Sequence, residues 1–276
     1  MKNKLDKVYN EIYSQSFECI DTKCCPCFEE CKNSLARRKK FKEKIHTLLN
    51  SEYSFFGNHS IHLGDNYYKC HDLGIPKVVF LGKEDTSKSL EVVSTADFTW
   101  QKNQHYRETR AILSFLLKQT NDIDYNDKRT YSFVNNNETI PSHTLFALTN
   151  HYHCAFKENE KVHGLPSTDK MWENCCNVVK KELESLNPDI FIIQAGWSLK
   201  SNALNHIQKY FDSDLYTVEK DTSISALYWL KNNNDNTIKC CIIGTFHPSY
   251  PGSYNADYRI TLKKRMLHAI SWFYNK

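Results

Sequence analysis

No stretch of the chain approaches the ~20 consecutive apolar residues that a membrane-spanning helix needs, so no membrane partner is expected. The opening segment, "MKNKLDKVYNEIYSQSF" (1–17), lacks the apolar centre of a secretory signal. It is charged and reads as an amphipathic helix, and the expected location is the cytoplasm. No internal repeat is present. Nor is there a large excess of either charge: the net value of +4 is too mild to imply nucleic acid on its own.

What is present fits a folded enzyme-sized chain. Its 276 residues suit one sizeable domain spanning 1–276, with an N-terminal helical, cysteine-rich segment to about residue 50. Apolar content of 40% and charged content of 25% are ordinary for a globular protein. Basic residues cluster in "ARRKKFKEK" (36–44) and "LKKRM" (262–266). Such runs are ordinarily solvated helix faces, and contact with phosphates is their less common use.

Eleven cysteines are many for a cytosolic chain. They fall in "CCPCFEEC" (24–31), at Cys19, Cys70 and Cys154, and in the pairs Cys175–Cys176 and Cys240–Cys241. In a reducing compartment disulfides are not expected. Close-set cysteines there suggest a metal or an iron–sulfur cluster.

Short, near-continuously apolar runs recur at "KVVFLG" (77–82), "TLFALTN" (144–150), "DIFIIQAG" (189–196) and "KCCIIGTF" (239–246). They read as buried parallel strands. "LYTVEK" (215–220) and "SALYWL" (225–230) read as further strands. Apolar residues at three- and four-residue steps predict helices over 106–120, 169–186, 198–211 and 257–274. Asn-rich 121–142 and 230–237 read as loops. The alternation predicts an α/β domain: a three-layer α/β/α sandwich with a central, mainly parallel four-stranded sheet. In such sheets the ligand site lies beyond the carboxyl ends of the strands.

Four segments occupy those ends: "GKEDT" (82–86), "TNHYHC" (149–154), "GWSLK" (196–200) and "FHPSY" (246–250). Gly82 allows a tight turn and is followed by Glu84 and Asp85, carboxylates able to orient water or stabilise a developing cation. The competing reading is an acid capping the next helix. Asn150 offers one amide donor and one acceptor, which suits the edge of a pyrimidine, though an Asn also closes turns. His247, held from behind by Pro248, can donate to a developing oxyanion.

In order and spacing, these segments resemble the uracil-DNA glycosylase superfamily, especially its iron–sulfur branch. Gly82–Thr86 resembles the family's Gly-led acidic motif. Thr149, Asn150 and Cys154 resemble its Thr-Asn strand and following Cys. Cys175, Pro188 and Gly196 resemble its cysteine-bearing helix and the strand after it. His247–Ser249 resembles its His-Pro-Ser loop. The resemblance spans roughly residues 20–274.

The resemblance implies a 4Fe–4S cluster held by Cys24, Cys27, Cys154 and Cys175, with Cys25 and Cys31 competing for the N-terminal places and Cys176 the alternative to Cys175. Zinc on four thiolates is the alternative centre. It implies a catalytic carboxylate at Glu84, with Asp85 second, because Lys83 follows the Gly and Asp85 stands where the iron–sulfur branch has Pro. It implies His247 at the leaving base, Asn150 reading the base edge, and an aromatic stacked on the base: Tyr106, or Phe98 or Trp100. Thr86 stands where the classical branch has a Tyr that excludes C5 substituents.

The implied activity is a monofunctional DNA glycosylase that releases uracil, or a C5-modified pyrimidine such as glucosylated hydroxymethylcytosine of phage DNA, and leaves an abasic site. DNA is the implied partner. No protein partner is implied and a monomer is expected. A non-catalytic nucleic-acid binder that keeps the fold is the alternative, and a zinc-stapled enzyme acting on free nucleosides or nucleotides is the third reading.

Overall fold

The computed structural model describes residues 2–14, 25–36, 56–57, 62–84, 104–126, 131–135, 138–152, 154–155, 168–248, 250 and 255–276. Among them the helices are α1 (Lys2–Tyr13), α2 (Phe28–Ala36), α3 (Gln104–Leu116), α4 (Asp169–Leu186), α5 (Ala203–Gln208) and α6 (Ala256–Tyr274). The strands are β1 (Phe56–Gly57), β2 (His62–Leu63), β3 (Val78–Glu84), β4 (Ser132–Asn135), β5 (Glu138–Pro141), β6 (Phe146–Tyr152), β7 (Cys154–Ala155), β8 (Ile190–Ile193), β9 (Tyr216–Lys220), β10 (Leu227–Asn232) and β11 (Ile238–Gly244). The chain divides into two compact units. The first comprises Met1–Ile61, Lys83–Val92 and Asn150–Ser185; the second comprises His62–Gly82, Val93–Thr149 and Leu186–Lys276.

The second unit is built on a mixed seven-stranded sheet in the order β2-β6-β3-β8-β11-β10-β9. β3 pairs parallel with β8, and β8 with β11; the β2–β6, β10–β11 and β9–β10 pairs are antiparallel. The four strands expected from the apolar runs form its contiguous middle. The sheet is wider than the expected four strands because β10 and β9 extend one side and the two-residue β2 caps the other. β9 alternates, with Val218 buried between exposed Thr217 and Glu219, as an edge strand with one wet face does. The middle strands do not alternate: Val78 to Leu81 and Ile190 to Ile193 are all fully buried, so both faces are covered.

Register explains which residues share a face. Val78, Ile190 and Cys241 stand level, as do Phe80, Ile192 and Ile243. Both rows belong to one core cluster with Ile112 and Leu116 of α3 and Leu262, Met266 and Ala269 of α6. Each such aliphatic or aromatic side chain contributes roughly 1.5–3 kcal/mol on full burial. The intervening row points the other way, where Phe191 meets the rings of Tyr210 and Phe211 just after α5 at 6.3 Å each.

The amino end of β8 is fixed by Asp189. Its carboxylate accepts from Lys276 Nζ at 2.8 Å and from the Lys77 N–H at 2.9 Å, and pairs with His71 at 2.6 Å. α6 starts at Asn255, whose side chain accepts from the Asp257 N–H at 2.8 Å.

In the first unit α4 is the scaffold. Its N-cap is Thr168, which accepts from the Met171 N–H at 3.1 Å. α1 buries Leu5, Val8, Tyr9 and Tyr13, the three- and four-residue spacing of one helical face. It is joined to α4 by a hydrogen bond from the Tyr9 hydroxyl to the Glu182 carboxylate and by the Lys181–Glu11 pair at 2.9 Å. α2 is joined to α4 through Lys170–Glu30 at 3.0 Å. β1 and β7 form a two-residue antiparallel pair.

Two expectations need correction. The single helix expected over 198–211 is a 3-10 turn at Trp197–Leu199, an extended Lys200 and then the short α5. The polar "KSN" supplies no apolar face to hold a continuous helix. The expected loop at 121–142 contains the β4–β5 hairpin, in which Phe133 pairs with Ile140. Its Asn-rich composition hid two short alternating strands. Among the described residues no helix is long and apolar enough to cross a membrane.

Candidate active site at the strand ends

From β3 the chain goes first to β6 on one side and then to β8 and β11 on the other. The order therefore reverses between β3 and β8, and the crevice beyond the carboxyl ends there is where ligands bind in open α/β sheets. In the second unit this level is marked by Leu81, Ile193 and Gly244. Just beyond it the Gln194 N–H donates to the Leu81 carbonyl at 2.8 Å, and the Thr245 N–H to the Ile193 carbonyl at 2.9 Å.

The loop after β11 is anchored at several points. Gly196 adopts φ +71°, a conformation natural to glycine, and its N–H donates to the Thr245 carbonyl at 3.2 Å. A Cβ on Gly196 would stand 3.7 Å from the His247 nitrogen. Gly244 permits the close approach of the two loops, since a Cβ there would lie 2.8 Å from the Ser198 hydroxyl and 3.0 Å from its carbonyl oxygen. The Phe246 N–H donates to the Tyr258 hydroxyl at 2.8 Å, and the Tyr250 N–H to the His247 carbonyl at 2.8 Å. His247 is thus half-buried on a backbone held from both sides, with Pro248 buried behind it.

Two buried polar side chains beside this loop escaped the sequence reading. Glu108 on α3 is 2% exposed, and its Oε1 has no partner among the described residues. Burial pushes its pKa up to about 8, so the group is mostly a neutral acid at pH 7. Burial raises the Tyr258 pKa first, and the charge of Glu108 raises it further, which places the two groups near one another. Gln194 is fully buried; its Oε1 accepts from the Thr109 hydroxyl at 3.1 Å, while its Nε2 has no partner among the described residues. Such groups are costly unless something completes them, about 1–3 kcal/mol each. The signal for Glu108 was the run "AILSFLL" after it: a helix apolar on every side is buried on every side, and its preceding turn goes inside with it.

The expected site residues are distributed as follows. Gly82 is buried inside β3, which continues to Glu84, so it stands in a strand and not at a tight turn. Glu84 ends β3 in the first unit, and its side chain lies outside the described residues, as do Asp85, Thr86, Phe98, Trp100 and Ser249. Tyr106 is the third residue of α3, where the sequence placed it at the start of the helix, and its side chain is also outside the described set. Thr149 is buried. Asn150 is half-buried in β6, which runs two residues past it to Tyr152. The Asn150 amide has no hydrogen-bond partner among the described residues. Its neighbour His151 is buried against Trp172, with ring centroids 5.9 Å apart.

The cysteines separate into two sets. Cys70, Cys240 and Cys241 are core residues of the second unit, and the Cys70 thiol donates to the Leu145 carbonyl. In the first unit Cys25, Cys27 and Cys31 gather at the start of α2, where Cys27 is close enough to act on the ionisation of both Cys25 and Cys31. Burial pushes the Cys25 thiol up to about 11 and raises that of Cys31. Asn174 donates to the Cys31 sulfur at 3.4 Å, and the next residue of α4 is the buried Cys175, followed by buried Cys176. Cys24 and the side chain of Cys154 lie outside the described residues. Among the described residues no three His, Cys, Asp or Glu side chains converge as a ready metal site. The donor chemistry nevertheless suits a thiolate-bound centre: close-set thiols just before and in the first turn of α2, beside the turn of α4 that carries Cys175.

No family model matches the chain, and no curated protein sequence matches it.

Proposed function

We propose that the protein is a monofunctional DNA glycosylase that hydrolyses the N-glycosidic bond of a flipped-out pyrimidine. The observation that carries this reading is the anchored loop after β11, which holds the backbone of His247 at the carboxyl end of a parallel strand by bonds to Thr245, Phe246 and His247 itself. A donor fixed in advance is what stabilises charge that develops only in the transition state.

In this reading the base leaves the stack to be reached. An aromatic, Tyr106 by resemblance, stacks on it, and the Asn150 amide reads its edge. As the bond between the sugar C1′ and the base nitrogen breaks, its electron pair moves onto the base and His247 donates to the O2 that becomes negative. Glu84, with Asp85 as the alternative, steadies the cationic sugar and orients the water whose oxygen joins C1′. The proton that water loses is the one the released base gains. No lysine Schiff base is called for, so the strand is left intact at an abasic site. Gly82 and Thr86 belong to the pocket wall, and the small Thr86 admits a C5-substituted pyrimidine as well as uracil.

The core corresponds in this reading to a three-layer sandwich around the parallel middle of the sheet. Cys24, Cys27, Cys154 and Cys175 would hold a 4Fe–4S cluster, which when bound supplies a structural staple between the N-terminal arm and α4. The protein acts on DNA, as a monomer, in the cytoplasm.

The test is direct. Purified protein is incubated with uracil-containing, unmodified and glucosylated-cytosine DNA, and alkali-labile sites are scored. Abasic sites in either altered DNA support the reading and identify the base. Retarded DNA with no abasic sites would instead establish a non-catalytic binder.

A further inference from the structure

The basic run "LKKRM" (262–266) is not a solvated face. Lys263 pairs with Asp122 at 3.1 Å and Lys264 is exposed, but Arg265 turns inward between buried Leu262 and Met266 and is 4% exposed. Its guanidinium donates Nε–H to the Ser225 carbonyl and Nη1–H to the Gly244 carbonyl at 3.0 Å. Both partners are neutral. The other groups that act on its charge are the hydroxyls of Tyr258 and Tyr228, whose pKa values are themselves raised by burial. No carboxylate pairs with Arg265 among the described residues. A buried cation without a counter-charge is costly, and folded proteins ordinarily pair such groups.

Arg265 also forms the wall of an open cavity of about 480 Å³. Phe246, Tyr250 and Tyr258 give it an aromatic side, and Asn255 and Thr261 belong to the first turns of α6. The positive end of that 19-residue helix therefore opens onto the same space as the guanidinium. Asp257 also lines the cavity, but it is exposed and faces water. The volume lies within the usual range for small-molecule sites, about 300–1,000 Å³.

We propose that this cavity is an anion subsite that takes a phosphate group, which supplies the counter-charge that Arg265 lacks. Because Phe246 lines the cavity and His247 follows it, the phosphate is assigned to a phosphodiester of the DNA strand. That last assignment rests on the glycosylase reading; the phosphate subsite itself does not.

The test measures binding by calorimetry and by the shift in melting temperature, using inorganic phosphate, the dinucleotide dTpdT and its uncharged methylphosphonate counterpart. Wild-type protein is expected to bind dTpdT and to ignore the methylphosphonate. Thr261→Glu places a carboxylate in the cavity from a partly exposed helix position. It is expected to melt like wild type without ligand and to lose roughly tenfold or more in affinity. Arg265→Lys keeps the charge without the fork and is expected to weaken binding by roughly tenfold. Equal binding of dTpdT and its methylphosphonate, or wild-type affinity in Thr261→Glu, would overturn the subsite. Binding of inorganic phosphate without dTpdT would keep the anion site and overturn its assignment to DNA. These are binding measurements, so a failure to release bases in the abasic-site assay is a separate result and leaves them standing.

Discussion

The Gly196 N–H donates to the Thr245 carbonyl at 3.2 Å, tying the turn after β8 to the loop that presents His247. The bond requires φ +71° at Gly196, and the neighbouring approach of Ser198 leaves no room for a Cβ at Gly244. Gly244→Ala is therefore expected to lose about 1–3 kcal/mol, because the Ser198 backbone has to move. Gly196→Ala is expected to lose about 1 kcal/mol from the left-handed backbone alone. Denaturant melts check both, and a Gly244→Ala midpoint equal to wild type would show that the loops are not held this closely.

His247→Ala removes a side chain from a backbone that several bonds fix. On whichever DNA the wild type cleaves, base release is expected to slow by about 10²–10³ with DNA affinity nearly kept. Single-turnover rates read this directly. A rate equal to wild type would make His247 an ordinary loop residue.

Glu108 gives a pH dependence of definite sign. Its folded pKa, about 8, lies above the ordinary value of 4.5, so the folded state keeps a proton that the unfolded chain has lost. Between those values stability falls as pH rises, by at most about 1.4 kcal/mol per pH unit. Glu108→Gln is expected to match wild type near pH 4 and to be the more stable protein at pH 8–9. Denaturant midpoints at pH 4, 6 and 8.5 are the measurement; parallel curves would mean that Glu108 ionises as an ordinary surface acid.

Asp189 has the opposite sign. Burial alone would raise its pKa, but hydrogen bonds from Lys276, the Lys77 N–H and His71 outweigh it and hold the carboxylate below its ordinary range. That contribution is complete above the ordinary carboxylate pKa and is lost as pH falls through the lowered folded value. Asp189→Asn is expected to cost about 3 kcal/mol at pH 7 and to flatten the acid limb of the stability curve. Since Asp189 lies at the amino end of β8, abasic-site formation by the folded variant should be unchanged.

If Cys175 binds an iron–sulfur cluster, protein purified without oxygen is expected to be brown from thiolate-to-iron charge transfer. Cys175→Ser should bleach it, while Cys70→Ser, a core change in the second unit, should not. Colourless protein that contains zinc and no iron would replace the cluster with the alternative metal.

The middle of the sheet was legible because β3, β8 and β11 are apolar on both faces, a pattern that few alternatives imitate. α4 was legible at both ends, from Thr168 before it and Pro188 after it. β4 and β5 were not, because four-residue strands among asparagines leave too short an alternation to read. The His247 loop was legible as a strand followed by His-Pro, but its anchors, the Gly196 N–H on the Thr245 carbonyl and the Tyr258 hydroxyl accepting from the Phe246 N–H, join residues far apart in sequence and leave no local pattern to read. Arg265 was misread because it sits in a basic run that looks solvated, and only the packing of α6 shows that this member faces inward. Glu108 was not singled out at all, although the apolar run after it carried the signal of its burial.

The division of the chain has a consequence for how the protein is made. Neither unit is a continuous segment: β3 and β6 each begin in the second unit and end in the first, and α4 begins in the first and ends in the second. The ribosome thus releases α1 and α2 long before α4, the helix they dock on, has been synthesised. Folding must wait for contacts of large sequence separation, which slows it and prolongs exposure of unfinished surfaces. Truncation anywhere between residues 62 and 185 would leave both units incomplete, so no fragment shorter than 1–185 or 62–276 holds every segment of either unit.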